Sequence, residues 1–153
     1  MKPEYIDPFL NSAVSTFEIM LGCKLIPGEP FVKSATNGQQ EISGMVGLSG
    51  KAKGTVILSL SREAAISASA AMLGEQITEV NGDVTDAVGE LTNIIAGGAK
   101  AQLEKLALNV SLPTVIVGKQ YAFEFPQSVA PVCIPYECPW GYVAVEVGLV
   151  DNV

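Results

Sequence analysis

The stretch DVTDAVGELTNIIAGGAKAQLEKLA, residues 83–107, decides how this chain folds. At about 100° per residue, Val84, Val88, Leu91, Ile95 and Leu106 fall on one stripe, the pattern of an amphipathic helix with a buried face. Asp86, Glu90, Asn93, Gly97, Lys100 and Glu104 fall within about 80° on the opposite side. Asp83-Val-Thr-Asp86 reads as a capping box, with both carboxylates near the helix N-terminus where the dipole favours negative charge. The polar face carries residues that helix stability disfavours. Asparagine is a poor interior helix former, and each glycine of Gly97-Gly98 costs about 1 kcal/mol relative to alanine. Small residues beside a polar pair let another backbone approach closely. On the residues alone, a functional face and an ordinary solvated face both remain open.

Working outward, the flanks alternate between helix and strand. Ile6 to Leu21 reads as a first helix on the recurrence of Phe9, Ala13, Phe17 and Met20 or Leu21, stopped by Gly22. Phe31 to Ala35, Glu41 to Leu48 and Gly54 to Leu60 read as strands, with a hairpin turn at Ser49-Gly50-Lys51. Ser61 caps a short Ala-rich helix ending at Gly74. After the long helix come a strand at Asn109 to Val117, a short one near Tyr121 to Phe125, and a hairpin from Val129–Tyr136 to Tyr142–Leu149. Pro113, Pro131 and Pro135 lack an amide donor, so their strands belong at edges or carry bulges. The order is helix and three strands, a short helix, then helix and three strands. The expected fold is α+β: two long helices packed on a mostly antiparallel sheet, built from pseudo-duplicated α-β-β-β halves. Residues 1–153 read as one domain.

Composition narrows the chemistry. The 153 residues contain 9 basic and 16 acidic side chains, a formal net charge of −7. With 48% apolar residues and 16% charged, the chain builds a core rather than staying disordered. The longest uncharged run, Leu106 to Gly118, is too short to span a bilayer. There is no histidine, which removes Ser-His-Asp triads, Cys-His dyads, imidazole metal ligands and imidazole bases. Arg62 is the only arginine, and an acidic chain so poor in guanidinium is not built for nucleic acid or anionic lipid. Cys23, Cys133 and Cys138 form no zinc-binding spacing, and the N-terminus MKPEYIDPFL has no signal-peptide core, so a cytoplasmic protein with reduced thiols is expected. Asp86 with Glu90 is an i, i+4 carboxylate pair without further ligands, more in keeping with solvation than with a metal site.

The stretch Asp86-x-x-x-Glu90-x-x-Asn93-x-x-x-Gly97 resembles the signature of the CheC/CheX/FliY family of chemotaxis phosphatases. GELTNIIAGGAKAQL, with KGTVILSLSREAAISASAAMLGE before it and VSLPTVIVGK after it, is similar to the CheX branch over Lys53 to Lys119. Glu-x-x-Asn alone is a weak motif; between those flanks it is specific. One departure is Gly98, where relatives often carry Asn.

The resemblance implies a phosphatase acting on the aspartyl phosphate of a CheY-like response regulator. Glu90 would contact the regulator's active-site lysine and Asn93 would orient the attacking water, while the chain binds no cofactor and the regulator supplies Mg²⁺. It further implies a homodimer formed by strand pairing and one catalytic face per chain, since Glu18 of the first helix is followed three residues on by Leu21, not Asn. Two rivals are a non-catalytic adaptor of the same fold that binds response regulators or itself, and a carboxylate metal hydrolase.

Overall fold

The computed structural model describes residues 1–33, 40–118 and 130–152. A 3-10 turn at Pro3–Tyr5 leads into α1 (Ile6–Leu21), followed by β1 (Ile26–Pro27), β2 (Phe31–Val32), β3 (Ile42–Ser49) and β4 (Ala52–Leu60). Then come α2 (Arg62–Leu73), α3 (Gly82–Gln102), a 3-10 turn at Glu104–Leu106, β5 (Asn109–Val110), β6 (Thr114–Val117), β7 (Val132–Glu137) and β8 (Val143–Asp151). Gly22 and Gly74 close α1 and α2 in the left-handed conformation, at φ 64° and 66°, the C-terminal stop that glycine provides most readily. Ser61 caps α2 by accepting from the Ala64 N–H at 3.2 Å.

All described strands join one antiparallel sheet in the order β1-β7-β8-β4-β3-β5, with β2 also on β7 and β6 also on β3. This order bears out the α+β architecture and gives the duplication a geometry. Exchanging β1, β2, β3 and β4 with β5, β6, β7 and β8 preserves every pairing, so β4 and β8 meet at a pseudo-two-fold axis. α1 and α3 pack on each other over that axis. Val56, Leu58, Leu60, Val143, Val145, Val147 and Leu149 rise from the central strands to meet Phe9, Phe17, Leu91 and Ile95, all buried. The helices therefore stay on one face because each strand sends alternate residues to it.

Several boundaries differ from expectation. α3 starts under the cap of Asn81, whose Oδ1 accepts from the Val84 N–H at 3.1 Å. Asp83 thus lies in the first turn, not at the cap. The helix ends at Gln102, and Leu106 follows in the 3-10 turn, half-buried against the core. The strand expected from Asn109 to Val117 is two strands. Val110 opposes Leu48 and Thr114 opposes Met45, so residues 111–113 stand opposite only 46–47 of β3. That extra residue is a bulge at Leu112-Pro113, where proline has no amide for the ladder.

Pro135 is not on an edge, because β1 and β2 cover β7. Its carbonyl accepts from the Gly28 N–H at 2.8 Å. Its missing amide accordingly faces the interruption between β1 and β2, where no ladder bond is lost. The strand expected near Tyr121–Phe125, the end of Phe31–Ala35 and Val129 lie outside the described residues.

Candidate functional site

The position of α3 on the sheet is set by small residues. Gly44 of β3 lies against Thr92 and Val88, and a Cβ there would collide with the Thr92 side chain. Thr92 is buried and donates its hydroxyl to the Val88 carbonyl at 2.7 Å. Gly89 meets β6: a Cβ on it would stand 3.2 Å from Val115 Cγ2 and 3.5 Å from Pro113 Cγ. With the buried face clamped this way, Asp86, Glu90, Asn93 and Lys100 are exposed together on the outer face, as the helical spacing predicts. Glu104 is exposed too, in the 3-10 turn beyond the helix.

Glu90 and Asn93 share an open groove of about 530 Å³ with Thr85, Asp86, Gly89, Pro113 and Val115. Helix α3 forms one wall and the segment after the bulge forms the other. Neither Glu90 nor Asn93 makes a hydrogen bond or ion pair among the described residues. A carboxylate and a carboxamide with their full hydrogen-bonding capacity directed at solvent can engage a lysine, a water or a phosphoryl oxygen brought by another molecule. Among the described residues, no group of three or more Cys, Asp or Glu side chains converges to hold a metal ion. The α1 counterpart differs: Glu18 is exposed, but Leu21 is 8% exposed and belongs to the core.

Gly97 and Gly98 of α3, one expected role in the sequence, have separate roles in the structure. Gly98 faces α1, where a Cβ would collide with Ser12 Oγ, which donates to the Ile95 carbonyl at 2.7 Å. Gly98 is thus the helix-crossing residue. Gly97 has nothing within 4 Å of a Cβ position, so the fold does not require its small size. It lies one turn beyond Asn93, beside an exposed hollow shared with Lys100, Ala101 and Glu104. Gly97→Ala should therefore stabilise the protein by about 0.5–1 kcal/mol. Gly98→Ala should destabilise it by roughly 1–3 kcal/mol through overpacking and loss of the Ser12 bond. Denaturant unfolding of both variants checks this, and equal stability of the two would contradict the assignment.

The thiols stay apart from the groove. Cys23 is buried, with its sulfur 3.9 Å from that of Cys138. Burial, then the neighbouring Cys138, pushes its pKa up to about 11, so it is a protonated packing group at neutral pH. Trp140 packs half-buried against the core, while Tyr142 is exposed. The residues that spacing could not reveal are Pro113 and Val115, which reach the groove only through pairing of β6 with β3.

The architecture, two long helices on an antiparallel sheet, is that of the CheC-like superfamily, and in this chain one of those helices carries Glu90-x-x-Asn93. The chain belongs to the CheX family of chemotaxis phosphatases, whose model matches residues 42–137. It is similar to the CheY-P phosphatase CheX of Thermotoga maritima, with 28% identity over 122 residues, 78% of this chain and 79% of that protein. It is also similar to the solved chemotaxis protein CheX of Desulfovibrio desulfuricans, at 31% identity and a TM-score of 0.87 over 95% of this chain and 99% of that one. The CheX of Borrelia burgdorferi, solved in complex with CheY, BeF3 and Mg²⁺, shares the fold at 24% identity and a TM-score of 0.79, covering 99% of this chain and 100% of that one. Among the described residues, no helix is long and apolar enough to cross a membrane.

Proposed function

We propose that this protein is a phosphatase for the aspartyl phosphate of a CheY-like response regulator, and that α3 donates Glu90 and Asn93 into the regulator's own active site. The observation that carries this reading is the face itself: two adjacent polar side chains, exposed and unspent, next to a glycine whose open flank leaves room for a close-approaching backbone. The Thermotoga maritima relative is a CheY-P phosphatase, and the Borrelia burgdorferi CheX is solved in complex with CheY.

The chemistry needs no histidine. An aspartyl phosphate is an activated acyl phosphate, and the regulator's Mg²⁺ and lysine neutralise charge on the phosphoryl oxygens. What remains is to hold a water in line with phosphorus. The Asn93 carboxamide offers a donor and an acceptor and does not titrate near neutral pH, so it can orient that water without competing for the proton. Glu90 pairs with the regulator's lysine and aligns the helix on the site. Work of this kind is positioning, and it contributes roughly 10²-fold or more in rate. The direct test is the release of phosphate from a phosphorylated receiver domain with and without this protein. Acceleration supports a phosphatase; tight binding without acceleration supports the adaptor instead.

Homodimerisation belongs to the same reading. Among the described residues β6 lies outermost beyond β3, with Val117 47% exposed, and supplies a strand edge for a second copy. Light scattering at micromolar concentration should give about twice the 16.0 kDa chain mass. A mass near that of one chain would reject the dimer.

A further inference from the structure

We propose that Leu112 is a docking residue, an apolar contact on the rim of the Glu90–Asn93 groove that seats against the receiver domain beside its phosphorylation site. This rests on the reading that α3 enters such a site. Leu112 is 87% exposed, more than any other large apolar side chain described. It sits at the bulge, where residues 111–113 pass opposite two residues of β3 and one residue is left without a partner in the ladder. Bulges of this kind re-aim side chains next to functional sites.

The bulge is held, not loose. The Ser111 N–H donates to the Gly47 carbonyl at 2.9 Å, and the Gly47 N–H donates to Ser111 Oγ at 2.8 Å. The Ser111 hydroxyl then donates to the carbonyl of Leu112 itself at 3.0 Å. Pro113 follows, restricting Leu112 to extended backbone. Docking through Leu112 therefore has little loop-ordering entropy to overcome.

Its neighbours connect it to the groove. Pro113 and Val115 form the wall opposite Glu90 and Asn93, packed onto α3 at Gly89. A specific protein contact covers roughly 800 Å² per partner and concentrates its affinity in a few apolar or aromatic anchors. The α3 stripe of Asp86, Glu90, Asn93 and Lys100 offers no such anchor. A partner whose active site receives Glu90 and Asn93 extends sideways over this wall, and Leu112 is the large apolar group it meets.

The experiment compares wild type, Leu112→Ala, Leu112→Asp and the control Leu73→Ala, an exposed leucine on α2. Affinity for a beryllofluoride-activated receiver domain is measured beside dephosphorylation over a range of receiver concentrations. Leu112→Ala should raise Kd and KM about 10-fold, as expected for an apolar side chain no longer buried on association, and Leu112→Asp should raise them further. Saturating kcat should stay within about twofold, and Leu73→Ala should match wild type. Unchanged Kd in both Leu112 variants of a protein that dephosphorylates the receiver overturns the inference alone. A fall to single-chain mass in those variants with receiver affinity intact overturns it in favour of a contact between two copies. Wild type that neither binds nor dephosphorylates any receiver overturns the functional reading, and this inference with it.

Discussion

Asn93→Ala should lower single-turnover dephosphorylation by about 100-fold or more while leaving affinity for an activated receiver domain largely intact. The Asn93 side chain is exposed and makes no hydrogen bond among the described residues, so its loss breaks nothing within the chain. Alanine is also the better helix former, and the variant should be at least as stable as wild type. A fall in rate then reports the missing carboxamide, not a damaged fold. Asn93→Asp should fail as well. An ionised carboxylate keeps the shape but loses both amide donors, and it repels the phosphoryl oxygens. Activity in Asn93→Asp with none in Asn93→Ala would point to a general base in place of an oriented amide.

Glu90→Lys should act on binding. Reversing the charge sets two ammonium groups against each other at a contact that association desolvates, a penalty of typically several kcal/mol. Affinity for the activated receiver should fall by about 100-fold or more, with Glu90→Gln intermediate. Glu90 has no ion pair among the described residues, so the reversal breaks none of those contacts within the chain. Binding curves for both positions decide the division of labour: equal loss of affinity in Asn93→Ala and Glu90→Lys would reject it.

Local patterns were readable wherever neighbours in sequence are neighbours in space. The periodicity of Phe9, Ala13 and Phe17 placed α1 at Ile6–Leu21, the bounds the structure has. Alternation placed β4, and the wheel of α3 put Glu90 and Asn93 on one outward face. Legibility ended where a distant segment decides the outcome. Asn81 and Asp83 are both competent caps, and only the extended backbone at Asn81 selects it. Gly97 and Gly98 are equivalent as composition; about 100° of helix rotation puts one in open space and the other against Ser12. The bulge at Leu112 is a register fact between β3 and the strands after α3, so the alternation of Asn109–Val117 alone cannot show it. The groove was half legible for the same reason: α3 contributes one wall by local spacing, and Pro113 with Val115 contributes the other by long-range pairing.

The measurement closest to the central claim is single-turnover loss of the phosphoryl group from phosphorylated receiver domains of the host, followed with wild type and with Asn93→Ala. Donation of Glu90 and Asn93 from α3 predicts that wild type accelerates hydrolysis of at least one receiver by roughly 10²-fold, and that Asn93→Ala binds the same receiver but leaves hydrolysis near its unassisted rate. Full acceleration by Asn93→Ala would contradict the assignment of the site, and no acceleration of any receiver by wild type would contradict the phosphatase itself.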